Sequence, residues 1–248
     1  AESLFDGQGF INSTNWRDMH NTRGRNNPMV GRSIFDVGSR VTAFLTYRKE
    51  YAGVAATGIT LFYNGQSGQP FSYVYNDNGD LTNEDSEERQ MIYVPRNQSE
   101  IVFADQATAA AQWAALDAYI EGDDHLKDRR GAYAERNQSR TPFESVIDLK
   151  ITQDFFINTP NGRRHTLQVS FDIFNFSNFI NKNWGRRYFV GDDNFELLTF
   201  EGFALDTSGE ETLQPTFSFN DPGDPYDILT SGINSGRWAA QFGVRYSF

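Results

Sequence analysis

The sequence predicts an all-β fold, a transmembrane antiparallel β-barrel, on three observations. The first is the final stretch, residues 236–248. There Trp238, Ala240, Phe242, Val244, Tyr246 and Phe248 form one apolar file, while Arg237, Ala239, Gln241, Gly243, Arg245 and Ser247 form a small or polar one. Side chains alternate faces along a strand, so one face of this segment suits an apolar solvent and the other suits water. The second is composition: only 38% of the 248 residues are hydrophobic, yet 15% are aromatic, including 22 Phe and 11 Tyr. That balance is odd for a compact soluble core and natural for a wall that is apolar on one face, with aromatic girdles at both interfaces. The third is the spacing of the strands, whose connections alternate short and long as in outer-membrane barrels.

Each element can be justified in order. Residues 1–32 are expected to be an external loop. The first strand is expected over 33–48, where Phe35, Val37, Val41, Ala43, Leu45 and Tyr47 oppose Asp36, Arg40, Thr42, Thr46 and Arg48. Residues 49–53 form a short turn. The second strand, 54–75, sets Ile59, Leu61 and Tyr63 against Thr60 and Asn64, with Phe62 breaking the polar file. It is interrupted by Gly65-Gln66-Ser67-Gly68-Gln69-Pro70 and resumes with Phe71, Tyr73 and Tyr75. Residues 76–140 are a long external loop. Inside it, the alanine-rich run 107–120 carries Trp113, Leu116 and Ile120 at three- and four-residue spacing, which predicts one short helix packed under its own loop. The third strand, 143–156, alternates Ile147, Leu149, Ile151 and Phe155 with Asp148, Lys150, Thr152 and Asp154. The turn-rich stretch Asn158-Thr159-Pro160-Asn161-Gly162-Arg163-Arg164 follows. The fourth strand, 165–178, alternates Leu167, Val169, Phe171 and Ile173 with Gln168, Ser170 and Asp172. A second long loop, 181–235, leads to the fifth strand, 236–248.

This order fixes an expected topology. With a periplasmic C-terminus, the turns at 49–53 and 157–164 face the periplasm, and 1–32, 76–140 and 181–235 face the outside. Five strands cannot close a membrane barrel, because an open edge leaves backbone groups unpaired in lipid. Residues 1–248 are therefore expected to be the C-terminal part of one larger barrel domain. No run approaches 18 apolar residues, which rules out a transmembrane helix but not barrel strands of about 9–11 residues. No signal-peptide pattern is visible in residues 1–20.

Charge and motifs narrow the function. The net charge is −11, and the stretches 76–140 and 181–235 each carry −7, leaving +3 for the remainder. The plain reading is that charge keeps long loops solvated. The sharper one is an acidic rim that concentrates cationic or metal-bearing solutes. Nucleic acid is not an expected partner, since its phosphates would meet an acidic surface. Aromatic residues in the same loops, namely Tyr93, Trp113, Tyr119, Tyr133, Trp184 and Tyr188, offer flat apolar surface for a sugar or peptide. The acidic run Asp77-Asn78-Gly79-Asp80 with Glu84, Asp85, Glu87 and Glu88 offers oxygen ligands for calcium over 76–90. It misses the EF-hand register, so an ordinary acidic turn is the simpler reading and no cofactor is expected. His20, His125 and His165 lack zinc-ligand spacing, and no Gly-x-Ser-x-Gly elbow or Walker loop is present. There is no cysteine. Nothing in the sequence calls for an enzyme. The Asn-x-Ser matches at Asn97 and Asn137 read as chance.

Several phrases resemble the C-terminal barrel region of TonB-dependent receptors of Bacteroidota, of the Oar-like type with a carboxypeptidase-regulatory-like domain. They include Ser3-Leu4-Phe5-Asp6-Gly7, Leu61-Phe62-Tyr63-Asn64-Gly65, Ile92-Tyr93-Val94-Pro95, Arg130-Gly131-Ala132-Tyr133, Asp172-Ile173-Phe174-Asn175-Phe176, Asn181-Lys182-Asn183-Trp184-Gly185 and the terminal strand. The run 83–90 departs from the family pattern in being longer in acidic residues. The resemblance implies a barrel of about 22 strands, of which these would be the last five, in a Gram-negative outer membrane. It also implies an N-terminal plug domain not in this chain, active nutrient uptake powered through TonB, and insertion by the barrel assembly machinery, which Trp238, Phe242, Tyr246 and Phe248 would engage. A surface lipoprotein is a further partner it allows. The peptide, oligosaccharide or metal chelate carried stays open. So do two rivals: a passive porin-like channel, and a surface adhesin or lectin-like β-sandwich.

Overall fold

The computed structural model of the protein describes residues 19–24, 26–27, 29–77, 81–83, 89–231 and 236–248. The phrase at 3–7 and the calcium-loop residues Asn78, Gly79, Asp80, Glu84, Asp85, Glu87 and Glu88 lie outside them. The chain is mostly β. In order, its elements are β1 (Arg40–Tyr51), β2 (Ala55–Gln66), β3 (Pro70–Asn76), β4 (Tyr93–Val94), helix α1 (Ala109–Gly122), β5 (Ala132–Tyr133), β6 (Ser139–Arg140), β7 (Glu144–Asn158) and β8 (Arg164–Phe174). There follow helix α2 (Phe176–Ile180), β9 (Tyr188–Phe189), β10 (Asn194–Leu205), β11 (Glu211–Ser218), β12 (Asp227–Ile228) and β13 (Ala239–Ser247). They build two compact units. Unit 1 comprises 1–36, 69–141 and 190–226, and unit 2 comprises 37–68, 142–189 and 227–248.

Unit 2 holds a five-stranded antiparallel sheet in the order β1-β2-β7-β8-β13, so each strand pairs with the next of the set along the chain. These strands have 12, 12, 15, 11 and 9 residues. The mean strand of a globular protein has about 5–6, and a membrane crossing needs about 9–11. The β1–β2 turn is tight because Ala52 and Gly53 both adopt positive φ, 54° and 64°. The β7–β8 turn is closed by Thr159 N–H donating to the Arg163 carbonyl at 2.9 Å. Both short turns lie at one end of the sheet, and both long excursions leave from the other.

The expected strand bounds need correction. Residues 33–39 are not strand: Ser33 and Asp36 close a turn, and Gly38 adopts a φ of 60°. Phe35 and Val37 therefore stand outside the ladder. The run 54–75 is two strands in two sheets, because Ser67-Gly68-Gln69 ends β2 and Pro70 opens β3. Phe71, Tyr73 and Tyr75 are not on the apolar file of unit 2 but buried in unit 1. The fourth strand stops at Phe174, since Asn175 turns left-handed and starts α2.

The long stretches expected to be loops contain a folded core. In unit 1, β3 is the buried centre of a four-stranded sheet, parallel to β10 and antiparallel to β6, with β11 on the far side of β10. Its residues 70–75 are all buried, Ser72 among them, so both of its faces are covered and it is not a half-exposed strand. Around it pack Met91, Ile92, Val94, Ile101, Phe103, Leu198 and Phe217. The expected helix is present as α1. Asp105 accepts from the Ala107 N–H and the Thr108 hydroxyl just before it, and Leu116 and Ile120 are fully buried on its inner face. Leu116 is 0% exposed. Leu116→Ala is expected to lower unfolding stability by roughly 2–5 kcal/mol through cavity formation, read as a shift in the urea midpoint.

Candidate functional site

The sheet of unit 2 presents two chemically opposite faces. Leu45, Leu61, Leu149, Ile173 and Ala240 are consecutive register partners and form one row across all five strands. Tyr47, Ile59, Ile151, Phe171 and Phe242 form the next apolar row. Nearer the short turns, Tyr51, Ala55, Phe155, Leu167 and Tyr246 form another. Most of these residues are open to the surroundings: Leu45 is 69% exposed, Phe242 66%, and Ile151 on the central strand still 37%, whereas Ile173 and Ala55 are buried. Soluble monomers rarely expose an apolar surface this extensive. One row on this face is partly polar. Lys49, Thr57 and Gln153 are aligned with Val169 and Val244, and Tyr51 hydroxyl donates to Gln153 Oε1 at 2.9 Å.

The opposite face is tied together by polar side chains. Thr46 and Thr60 hydroxyls lie 3.1 Å apart, and Lys150 Nζ is 2.9 Å from Asp172. Arg48 donates to Asp154 at 2.9 Å, Gln168 donates to the other oxygen of that carboxylate at 2.7 Å, and Arg164 donates to Glu50 at 3.0 Å. The Arg164 guanidinium also lies 3.5 Å over the Phe156 ring. Asp154 is only 6% exposed, and these two donors supply what burial takes away. Phe44 and Phe62 also lie on this face, so it is not uniformly polar.

At the end where the long excursions leave, one buried asparagine holds two arms of chain together. Asn175 sits at the tip of β8 with a φ of 53°. Its amide nitrogen donates to the Gly185 carbonyl at 2.8 Å and to the Gly236 carbonyl at 3.1 Å. Its amide oxygen accepts from Ser177 Oγ and Asn178 N–H, and its own N–H donates to Asp148 at 2.7 Å. Gly185 has a φ of 61°, and a Cβ there would meet Asn175 Oδ1 at 1.9 Å. A Cβ on Gly236 would meet the Arg187 backbone nitrogen at 2.9 Å. The two arms thus touch backbone to backbone. Between them lies a cavity of about 370 Å³ whose lining includes Asn178, Lys182, Arg186, Arg237, Trp238 and Ile228. The sequence reading missed both the clamp and the cavity. Their only sequence signal was an Asn directly after an alternating strand, a residue that tolerates the left-handed conformation.

The aromatic residues expected to touch a ligand do not form one group. Tyr93 and Tyr133 come together in unit 1, paired across β4 and β5 with ring centroids 5.6 Å apart, and Tyr93 hydroxyl donates to Glu100 at 3.0 Å. Trp113 and Tyr119 instead pack against the core of unit 1. Trp184, 54% exposed, and Tyr188 of β9 belong to the Asn175-clamped region of unit 2. Of the expected assembly residues, Phe242, Tyr246 and Phe248 stand exposed on or just past the apolar face, Tyr246 stacking on Phe248. Trp238 packs edge-on against Phe179 at 5.0 Å.

No group of three or more His, Cys, Asp or Glu suited to a metal ion occurs among the described residues. His20 pairs with Asn194 and His165 with Tyr246. Asn137 is buried against Ser72 and Arg32, so its sequon is closed. In unit 1, burial pushes the Tyr73 phenol far above its ordinary range, and Tyr119 and Asp123 add to the shift, so Tyr73 stays neutral and donates to Asp123 at 2.6 Å. Burial holds His125 below the usual imidazole range, against the pull of Asp123 and Glu135 and helped by Arg129 and Arg32. Its Nε2 accepts from the Glu135 N–H at 3.2 Å. No family model, curated protein or solved structure matches the chain.

Two outcomes follow from these contacts. Gly185→Ala combines a strained φ with an overlap on Asn175 and is expected to cost roughly 2–4 kcal/mol, measured by chemical unfolding. His125 is neutral in the fold, so its contribution is intact above the ordinary imidazole pKa of about 6.5 and is lost as pH falls below it. His125→Gln is therefore expected to reduce the fall in melting temperature between pH 7.5 and pH 5.5.

Proposed function

We propose that the five-stranded sheet of unit 2 is part of the wall of an outer-membrane β-barrel, with its Leu45/Leu61/Leu149 face toward lipid and its Arg48/Asp154/Lys150 face toward the lumen. The observation that carries this reading is the uncovered apolar face, continuous through one register on strands of membrane-crossing length. A β-sandwich adhesin would bury that face against a second sheet. Among the described residues β1 and β13 pair on one side only. Further strands are proposed to flank them, because lipid offers no partner to an open edge. Strand tilt accounts for the mixed row: a row perpendicular to tilted strands slants through the bilayer, so Lys49 and Gln153 lie nearer the headgroups than Val244.

On this reading the short turns are periplasmic and unit 1 is built from external segments. The resemblance to TonB-dependent receptors extends the proposal to active nutrient uptake, with a plug domain and TonB as the further parts it needs. The Tyr93–Tyr133 pair, of which Tyr133 is exposed, and the acidity of unit 1 favour a solute with an apolar or cationic surface.

The chain has no cysteine, so single cysteines report cleanly. In outer membranes, cysteines at Leu61, Leu149 or Phe171 are expected to resist a charged maleimide, whereas cysteines at Thr60, Thr152 or Ser170 react when the lumen is open to the reagent. The reverse pattern would overturn the assignment of the faces. Leu149→Arg is expected to cost roughly 2–4 kcal/mol near the bilayer midplane, seen as loss of heat-modifiable folded protein on electrophoresis.

A further inference from the structure

The cavity between the two arms that Asn175 joins is set apart by its charge. Lys182 and Arg186 come from the arm after α2, and Arg237 from the arm before β13. No carboxylate is among the residues that line it, and the nearest acid along either arm is Asp227, one residue before Ile228 in β12. The neighbouring Arg187 faces Glu144 at 3.9 Å, so that acid is drawn to a different cation. Arg186 donates to two neutral acceptors, the Lys182 carbonyl and Asn183 Oδ1. Three cations therefore share one concave surface without a compensating anion among its described lining. Asn178 adds an amide, although both its donors are used by the Lys182 and Trp184 carbonyls. Trp238 and Ile228 supply apolar lining, and Trp238 extends through Phe179 to an exposed aromatic cluster.

We propose that this cavity binds the phosphate of an anionic lipid headgroup. The three cations would receive the phosphate oxygens, with Arg186 and Arg237 offering forked donors. Trp238, half exposed at the first residue before β13, would lie along the upper part of the acyl chain, where indole rings sit in membrane interfaces. The lipid half of the proposal rests on the membrane reading of the sheet. The phosphate half rests on the cavity alone. The shape agrees with the chemistry: about 370 Å³ is room for a headgroup and too little for a whole lipid, whose chains would lie on the apolar face.

The test uses the full chain folded in zwitterionic detergent and titrated calorimetrically with dioctanoyl phosphatidic acid, dioctanoyl phosphatidylcholine and inorganic phosphate. Phosphatidic acid is expected to bind at least tenfold more tightly than either of the others. Arg237→Gln and Lys182→Gln, both at exposed positions whose side chains make none of the clamp's hydrogen bonds, should each weaken it about fivefold to tenfold without lowering the melting temperature. Arg163→Gln, in the short turn at the other end of the sheet, should leave it unchanged. Trp238→Ala should weaken phosphatidic acid while sparing inorganic phosphate. Equal affinity for phosphatidic acid and inorganic phosphate would make this a soluble-anion site and overturn the headgroup assignment. No phosphatidic acid binding, or binding indifferent to Arg237→Gln, would overturn the site itself. Charged-maleimide labelling of a cysteine at Leu149 in preference to one at Thr152 would instead count against the membrane reading, since the detergent titration does not depend on it.

Discussion

Side chains on a strand repeat every two residues, so a slip of one residue anywhere in the sheet would exchange its faces. In unit 2 that slip would carry Asp148, Lys150 and Asp154 to the side now held by Leu149, Ile151 and Phe155. The contacts that oppose it are on the polar face. Lys150 with Asp172, and Gln168 with Asp154, link β7 to β8, and the Arg48–Asp154 bond reaches across β2 from β1. Glycine helps to fix the same register. Gly58 and Gly243 lie beside Thr152 and Ser170, where an added Cβ would come within 2.5 and 2.7 Å of the hydroxyls. A strand shifted by one would place Thr57 or Ile59 in that space.

Magnitudes say which face decides the environment of the sheet. An exposed ion pair contributes about 0–1 kcal/mol, and most pairs here have at least one partner substantially exposed. Leaving one large apolar side chain in water forfeits about 1.5–3 kcal/mol relative to burying it. A handful of such side chains matches the whole net stability of a typical domain, about 5–15 kcal/mol. Leu45, Tyr47, Phe171, Phe242 and Val244 already make that handful, each more than 40% exposed. The polar ladder therefore specifies register, while the apolar face demands an apolar surrounding.

What could be read from the sequence was what obeys a period of two. Leu149, Val169 and Phe242 were placed on the correct files because long, half-exposed strands leave one face to one solvent. The same rule failed at Phe71, Tyr73 and Tyr75. Both faces of β3 are buried, so their alternation with Ser72 and Val74 carried no information about lipid. Residues 194–205 and 211–218 were expected to be loop because their alternation is broken. The structure shows the cause in bulges between Phe200 and Gly202 and between Phe203 and Leu205. The Asn175 clamp was out of reach for a different reason: its partners Gly185 and Gly236 lie 10 and 61 residues away and offer only backbone carbonyls, which carry no residue-type signal.

Averaging charge over long stretches hid a segregation that the two units expose. Unit 1 contains 27 acidic and 11 basic residues, for −16, and unit 2 contains 6 and 11, for +5. The stretch 181–235 looked uniformly acidic because its sum is −7, yet its three cations, Lys182, Arg186 and Arg187, all fall in 181–189. That short basic run belongs to unit 2, and the acids that outweigh it belong, except for Asp227, to unit 1. The acidic charge thus belongs to unit 1 and not to the end of the sheet. At the end of the sheet three cations, Lys182, Arg186 and Arg237, line one cavity together with Trp238, which packs on Phe179. Cations beside an aromatic boundary are what a membrane surface rich in phosphate favours, since each Lys or Arg near it gains about 1 kcal/mol. On the proposed membrane reading, one short segment would anchor the sheet at its interface, while the acidic unit, built from the same excursions of the chain, would keep its own surface for solutes of opposite charge.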